Sequence, residues 1–191
     1  SDTTFDERSL WAANGSNEII QTIFLAFGGF GRHALGFEPS YSMYRNISRA
    51  TGTQWIAVER NDDYSIDLGS AAEVINAQSP TLIFLTTPNN PTGTVTSLTD
   101  IERIAQICRE RNSLLVIDEA YQEFSSEQSA VTLIDKYPNI IVSRTMSKAF
   151  AFAGARLGYL IADPVVIEAL QLVRLPYHLS AITQAVAEVA L

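Results

Sequence analysis

Cysteine is almost missing from this 191-residue sequence: Cys108 stands alone, so no disulfide can form within the chain and a reducing compartment is the simplest setting. Its place in the helical pattern Ile101-Glu-Arg-Ile-Ala-Gln-Ile-Cys108 suits a buried small hydrophobe better than a reactive thiol. Histidine is as scarce. His33 and His178 are too isolated to suggest a metal site, and no G-x-S-x-G elbow is present for a nucleophilic serine. Basic charge is in deficit as well, with 13 lysines and arginines against 21 carboxylates and a formal net charge of −8. The basic residues are scattered, which argues against a nucleic-acid surface and requires any phosphate recognition to be local. Neither a long unbroken apolar run nor a charged-then-apolar leader occurs, so neither membrane insertion nor secretion is expected and the cytoplasm is the expected compartment. In that setting the sequons at Asn14 and Asn46 carry little meaning.

What is present is a near-even balance of apolar and polar residues, 47% hydrophobic by count, in a length that suits one globular domain with a sizeable core. Internal repeats and low-complexity linkers are absent. Strand-type runs fall at Gln54 to Val58, Thr81 to Leu85, Leu114 into Asp118, Asn139 to Ser143 and Gly158 to Ala162, with a short extended segment from Ala34 to Phe37. Helical patterns separate them: Asn17 to Phe27, Pro39 to about Thr51, Ala71 to Ala77, a helix ending near Arg109, Pro164 to Val173, and a last helix after Ser180. For the helix ending near Arg109, either Ser97 or Thr99 is the N-cap, with Glu102 placed for a capping box from Thr99. The alternation predicts an α/β fold of three layers, a mostly parallel sheet covered by helices. Both ends look cut, because the polar opening has no start methionine and the final helix reaches Leu191 without a stop signal. The expectation is a fragment of something larger, whose last apolar pattern (Ile182, Val186, Val189, Leu191) needs a covering surface.

Chemistry-bearing residues gather where strands end. After the run Asn139 to Ser143 come two hydroxyls, Thr145 and Ser147, then Lys148, then small residues as far as Arg156. Small side chains permit close approach, and the hydroxyls and guanidinium are the donors an oxyanion requires. A lysine among them suits imine formation, although a serine-rich surface loop reads the same way. Asn14-Gly-Ser-Asn17 is equally a plain helix cap or a phosphate seat, since amides and a helix dipole stand behind Ser16 and Asn17. Tyr41 opens an amphipathic stretch and on its own reads as packing. Thr86-Thr-Pro-Asn-Asn-Pro-Thr-Gly93 is an unusually fixed turn that carries Asn90. The strand from Leu114 runs into Asp118, Glu119 and Tyr121, either a solvated edge or a placed carboxylate. Gly29-Phe-Gly-Arg-His-Ala34 satisfies the dinucleotide fingerprint formally, but a helix precedes it and an extended segment follows, so it reads as a helix end and turn.

Taken together, Thr145-Met-Ser-Lys-Ala-Phe-Ala-Phe-Ala-Gly154, Pro88-Asn-Asn-Pro-Thr-Gly93, Pro39-Ser-Tyr-Ser-Met-Tyr44 and the Asp118 strand resemble the fold type I pyridoxal-phosphate aminotransferases, in the branch that includes histidinol-phosphate aminotransferases. The resemblance extends from Asn14 through the Arg174 connector. It implies that Lys148 is the Schiff-base lysine and proton carrier, and that Asp118 holds the cofactor's pyridine nitrogen protonated. Asn90 and Tyr121 would bond its phenolate oxygen, and Tyr41 would stack on its ring. Thr145, Ser147, Arg156 and the backbone at Ser16 and Asn17 would hold its phosphate. The implied reaction is reversible amino transfer between glutamate and imidazole-acetol phosphate in histidine biosynthesis. The implied chain is a large domain, residues 1–191, lacking an N-terminal arm and a C-terminal small domain, and belonging to a homodimer. An aromatic amino-acid aminotransferase and a noncatalytic phosphate-binding module are the alternatives.

Overall fold

The computed structural model describes residues 6–190. Its centre is a seven-stranded sheet built from β1 (Leu10–Ala13), β2 (His33–Glu38), β3 (Gln54–Glu59), β4 (Leu82–Thr86), β5 (Leu114–Asp118), β6 (Ile140–Thr145) and β7 (Gly158–Ala162), in the order β1-β7-β6-β5-β4-β2-β3. Pairing is parallel from β3 through β2, β4 and β5 to β6. Only β7 runs against its neighbours, antiparallel to both β6 and β1. The mostly parallel sheet is therefore observed, with one reversed strand inside it.

Among the described residues five α-helices cover the two faces, α1 (Ser16–Phe27), α2 (Met43–Ala50), α3 (Leu68–Gln78), α4 (Leu98–Glu110) and α5 (Pro164–Val173), while a sixth, α6 (Ala181–Ala190), contributes nothing to either side of the core. Successive strand residues point to opposite faces, so a strand buried on both sides must be apolar at every position. β4 shows this directly. Leu82 and Phe84 pack with Ile19, Ile23 and Phe24 of α1 and Ile167 and Leu170 of α5, while Ile83 and Leu85 pack with Ile75 of α3 and Ile104 and Cys108 of α4. Cys108 is fully buried, and burial pushes its thiol up to about 12.

Local chemistry sets the helix starts. Asp67 accepts from the Gly69 and Ser70 amides ahead of α3, and Asp163 accepts from the Val165 amide ahead of α5, whose first residue is proline. α4 is capped by Ser97, which accepts from the Asp100 amide at 3.1 Å. The capping box expected from Thr99 does not form, because Glu102 is drawn instead to Lys136 Nζ at 2.5 Å and the Tyr137 hydroxyl at 3.2 Å. The residue before α1 is Gly15, at φ 81 and with no side-chain cap, so the expected cap from the short polar residues is replaced by a glycine turn. β1 was not foreseen in the sequence, and β6 runs on to Thr145.

The connector between α5 and α6 is tied to β1. His178 stacks on Trp11 with ring centroids 5.4 Å apart, its Nε2 lies 2.9 Å from the Ala12 carbonyl oxygen, and the Asn14 amide group donates to the His178 carbonyl. Ile182, Val186 and Val189 of α6 are exposed. Leu191, the last member of that pattern, lies outside the described residues.

Candidate active site

The carboxyl ends of β4, β5 and β6 lie side by side, and the N-terminus of α1 reaches the same edge. A cavity of about 260 Å³ opens there, the position where open parallel sheets bind ligands. Ser16, Asn17, Tyr41, Asn90, Asp118, Tyr121, Thr145, Ser147, Lys148 and Arg156 all line it. Every residue proposed from the sequence thus faces one space.

One end of the cavity is a cradle for an oxyanion. Gly15 can adopt φ 81 without penalty, and its missing side chain leaves room for Arg156: a Cβ there would sit 2.6 Å from the guanidinium. Gly158 of β7 plays the matching part, since a Cβ on it would lie 2.5 Å from the Ser16 amide nitrogen. The two glycines let the α1 turn settle against Arg156. Ser16 and Asn17 supply the first amides of α1, which have no carbonyl a turn earlier to bond. Thr145 and Ser147 hydroxyls lie 2.7 Å apart, and the Ser147 amide donates to Thr145 Oγ1 at 3.2 Å. Arg156 donates to the Ala153 carbonyl at 3.2 Å and forms no ion pair among the described residues. An unpaired cation, two hydroxyls and free helix amides are the donor set of a phosphate site.

The other end is acidic and buried. Asp118 closes β5 and is 4% exposed. Its Oδ1 accepts from the Ala120 amide at 3.1 Å and its Oδ2 from the Tyr44 hydroxyl at 2.6 Å. It has no cationic partner among the described ion pairs. Burial pushes its carboxyl above the ordinary aspartate range, against the pull of the Tyr44 hydrogen bond. Its neighbour Glu119 is committed elsewhere: Arg144 pairs with it at 2.8 Å, and Ser129 and the Ala130 amide also donate to it. Of two adjacent carboxylates, only Asp118 is available to the cavity.

Between these ends stand the amine and the ring-shaped groups. Lys148 is exposed in the turn after β6, its Nζ 5.4 Å from the centre of the Tyr121 ring. Tyr41 donates to Asn17 Oδ1 at 3.1 Å and meets Tyr44 edge-on, with centroids 5.5 Å apart. Asn90 is half-buried on its loop, held by Asn89 beneath it, whose amide donates to the Pro39 carbonyl at 3.0 Å and Thr92 Oγ1 at 2.8 Å.

The family model for aminotransferase class I and II matches residues 2–191. The chain belongs to that family. It is 59% identical over 184 residues to the histidinol-phosphate aminotransferase of Corynebacterium glutamicum (strain R), covering 96% of this chain and 50% of that protein. To the enzyme of the same name from Thermobifida fusca it is 56% identical over 188 residues, covering 97% of this chain and 50% of that one. Among solved structures, histidinol-phosphate aminotransferase from Sinorhizobium meliloti in complex with pyridoxal-5'-phosphate superposes with a TM-score of 0.88 at 26% identity, over 96% of this chain and 50% of that chain. The pyridoxal-phosphate-bound C-S lyase of Staphylococcus hominis reaches the same TM-score at 21% identity, over 98% and 49%. The shared fold therefore does not by itself select the reaction. The chain spans about half the length of the curated relatives it matches.

For this aminotransferase-family chain, sequence reasoning missed Tyr44, Thr86, Ser40 and Gly15. The last two residues of Pro39-Ser-Tyr-Ser-Met-Tyr44 offered the only signal for Tyr44, and its contact with Asp118 crosses 74 positions of sequence. Gly15 was visible as a glycine at a helix start, but its role depends on where Arg156 lies.

Proposed function

We propose that this chain is the cofactor-binding large domain, residues 1–191, of a histidinol-phosphate aminotransferase that uses pyridoxal phosphate. The observation that carries the reading is the cavity itself, whose lining includes a cation-and-amide cradle, an exposed amine and a buried carboxylate without a cation. Such a set fits a group with a phosphate at one end and a basic ring nitrogen at the other. When bound, pyridoxal phosphate supplies an electron sink that lets a substrate carbon give up a proton. Arg156, the Thr145 and Ser147 hydroxyls and the Ser16 and Asn17 amides bind the phosphate. Asp118 keeps the ring nitrogen protonated, Asn90 and Tyr121 bond the phenolate oxygen, and Tyr41 covers a ring face. Lys148 would take the proton from the substrate carbon as base and give it back as acid, moving it between the substrate carbon and the cofactor carbon.

The donor and acceptor are glutamate and imidazole-acetol phosphate, and the setting is histidine biosynthesis in the cytoplasm. Among the described residues no helix is long and apolar enough to cross a membrane, which agrees with that setting. The assembly is a homodimer, a reading supported by the exposed apolar residues of α6. The test is an amino-donor and keto-acid panel on the complete protein. Preferred turnover of histidinol phosphate supports the proposal, whereas preference for phenylalanine or tyrosine, or release of thiols from cysteine S-conjugates, overturns it.

A further inference from the structure

At the floor of the cavity runs a line of hydroxyls, Tyr44 and Thr86 buried and Ser40 half-buried, that the proposed reaction does not yet use. Asp118 Oδ2 lies 2.6 Å from the Tyr44 hydroxyl, which lies 2.8 Å from Thr86 Oγ1, which lies 3.1 Å from Ser40 Oγ, which donates to Asn89 Oδ1 at 2.9 Å. The orientation of the Asn89 amide is fixed, because its nitrogen already donates to the Pro39 carbonyl and Thr92. The line therefore ends on an acceptor. It joins the floor carboxylate to the loop that carries Asn90.

The protons on this line can be counted. It has four oxygen-to-oxygen contacts, Asp118–Tyr44, Tyr44–Thr86, Thr86–Ser40 and Ser40–Asn89, and three hydroxyl protons, one each from Tyr44, Thr86 and Ser40. With Asp118 ionised, Tyr44 must donate to it, and one contact is left without a proton. With Asp118 protonated, every contact is filled and all donors point toward Asn89. The charge on Asp118 thus fixes which way Tyr44 donates and decides whether all four contacts can be filled.

We propose that Tyr44, Thr86 and Ser40 are positioning residues that form a reversible hydroxyl relay, which stabilises protonated Asp118 when the cavity is empty and in which Tyr44 turns to donate to Asp118 when a neutral basic nitrogen in the cavity would take that proton and become cationic. The proton that leaves Asp118 goes to the base in the cavity, so none is created or lost. One of the other three contacts is then empty, and where that gap falls between Ser40 and Asn89 the loop bearing Asn90 loses a hydrogen bond. Burial, which raises the Asp118 carboxyl, favours the protonated form. The charged groups near Asp118 oppose each other: Glu119 beside it raises the carboxyl and Lys148 across the cavity lowers it. The step in which a ring nitrogen takes the proton rests on the cavity being a pyridoxal-phosphate site; the coupling of the hydroxyls to Asp118 is testable without cofactor.

The experiment is a carboxyl titration of Asp118 by carbon-13 NMR in the complete, cofactor-free protein. Tyr44→Phe removes the donor to the ionised form and should raise the Asp118 midpoint. Thr86→Val strands the Tyr44 proton in the protonated form, so it should lower the midpoint, by roughly half to one pH unit. Ser40→Ala should act in the same direction but less, and Thr86→Ser should restore the wild-type curve. If Thr86 merely propped Tyr44 as a donor, Thr86→Val would raise the midpoint as Tyr44→Phe does, and that result overturns the relay. An unchanged midpoint in both Thr86→Val and Ser40→Ala overturns it too. A wild-type protein that fails to bind pyridoxal phosphate but shows opposite shifts would refute the proposed function and leave the relay standing.

Discussion

Arg156→Ala tests the phosphate end of the site most quantitatively. Arg156 is exposed, forms no ion pair among the described residues, and spends one hydrogen bond on the Ala153 carbonyl, so its removal should leave the fold almost untouched. Thr145, Ser147 and the α1 amides remain, and what is lost is the fixed cation of the cradle. A charge-assisted hydrogen bond contributes about 1.5–3 kcal/mol, which corresponds to a roughly 10- to 150-fold weaker dissociation constant for pyridoxal phosphate. Equilibrium titration of the complete protein, followed by the cofactor's visible absorption, measures it directly. Pyridoxal without its phosphate provides the control, because its affinity should not change. Equal weakening for both ligands, or no weakening for either, would show that the phosphate does not sit against Arg156.

Asp118 should be a site where function opposes stability. A carboxyl whose folded value is raised holds more protons folded than unfolded, so its contribution is full below the ordinary carboxylate range and is lost as pH rises through the raised value. In cofactor-free complete protein, Asp118→Asn should therefore raise Tm at pH 7 and have little effect at pH 3, while turnover falls by roughly a hundredfold or more for want of a charge at the ring nitrogen. A Tm lowered equally at both pH values would contradict the assignment. Gly158→Ala should push the α1 turn away from β7, since its new Cβ would sit 2.5 Å from the Ser16 amide. A loss of about 1–3 kcal/mol in denaturant unfolding, together with weaker cofactor binding, is expected; unchanged affinity would mean that the turn does not hold the phosphate.

The parts of the site that could be read in the sequence are those whose chemistry is local. Thr145 to Lys148 and Pro88 to Pro91 each put their polar groups within a few residues of a strand end, and parallel pairing of β4, β5 and β6 then brings them together. Features made by tertiary contact could not be read in this way. β1 is a strand because Leu10–Ala13 finds β7 as a partner, Ala13 opposite Gly158, and four residues after a polar opening carry no periodicity of their own. Glu102 looked like a cap but answers to Lys136, 34 positions away. Tyr44 packs on Phe84, with ring centroids 5.0 Å apart, and its own stretch of sequence gave no sign that its hydroxyl reaches Asp118, 74 positions away.

The central claim is that Lys148 is the amine that engages pyridoxal phosphate. Borohydride reduction of the complete, cofactor-loaded protein, followed by peptide mapping, should place the reduced cofactor on Lys148, and Lys148→Ala should abolish the label while leaving the circular dichroism of the fold unchanged. Label on another lysine, or undiminished label in Lys148→Ala, would contradict the account.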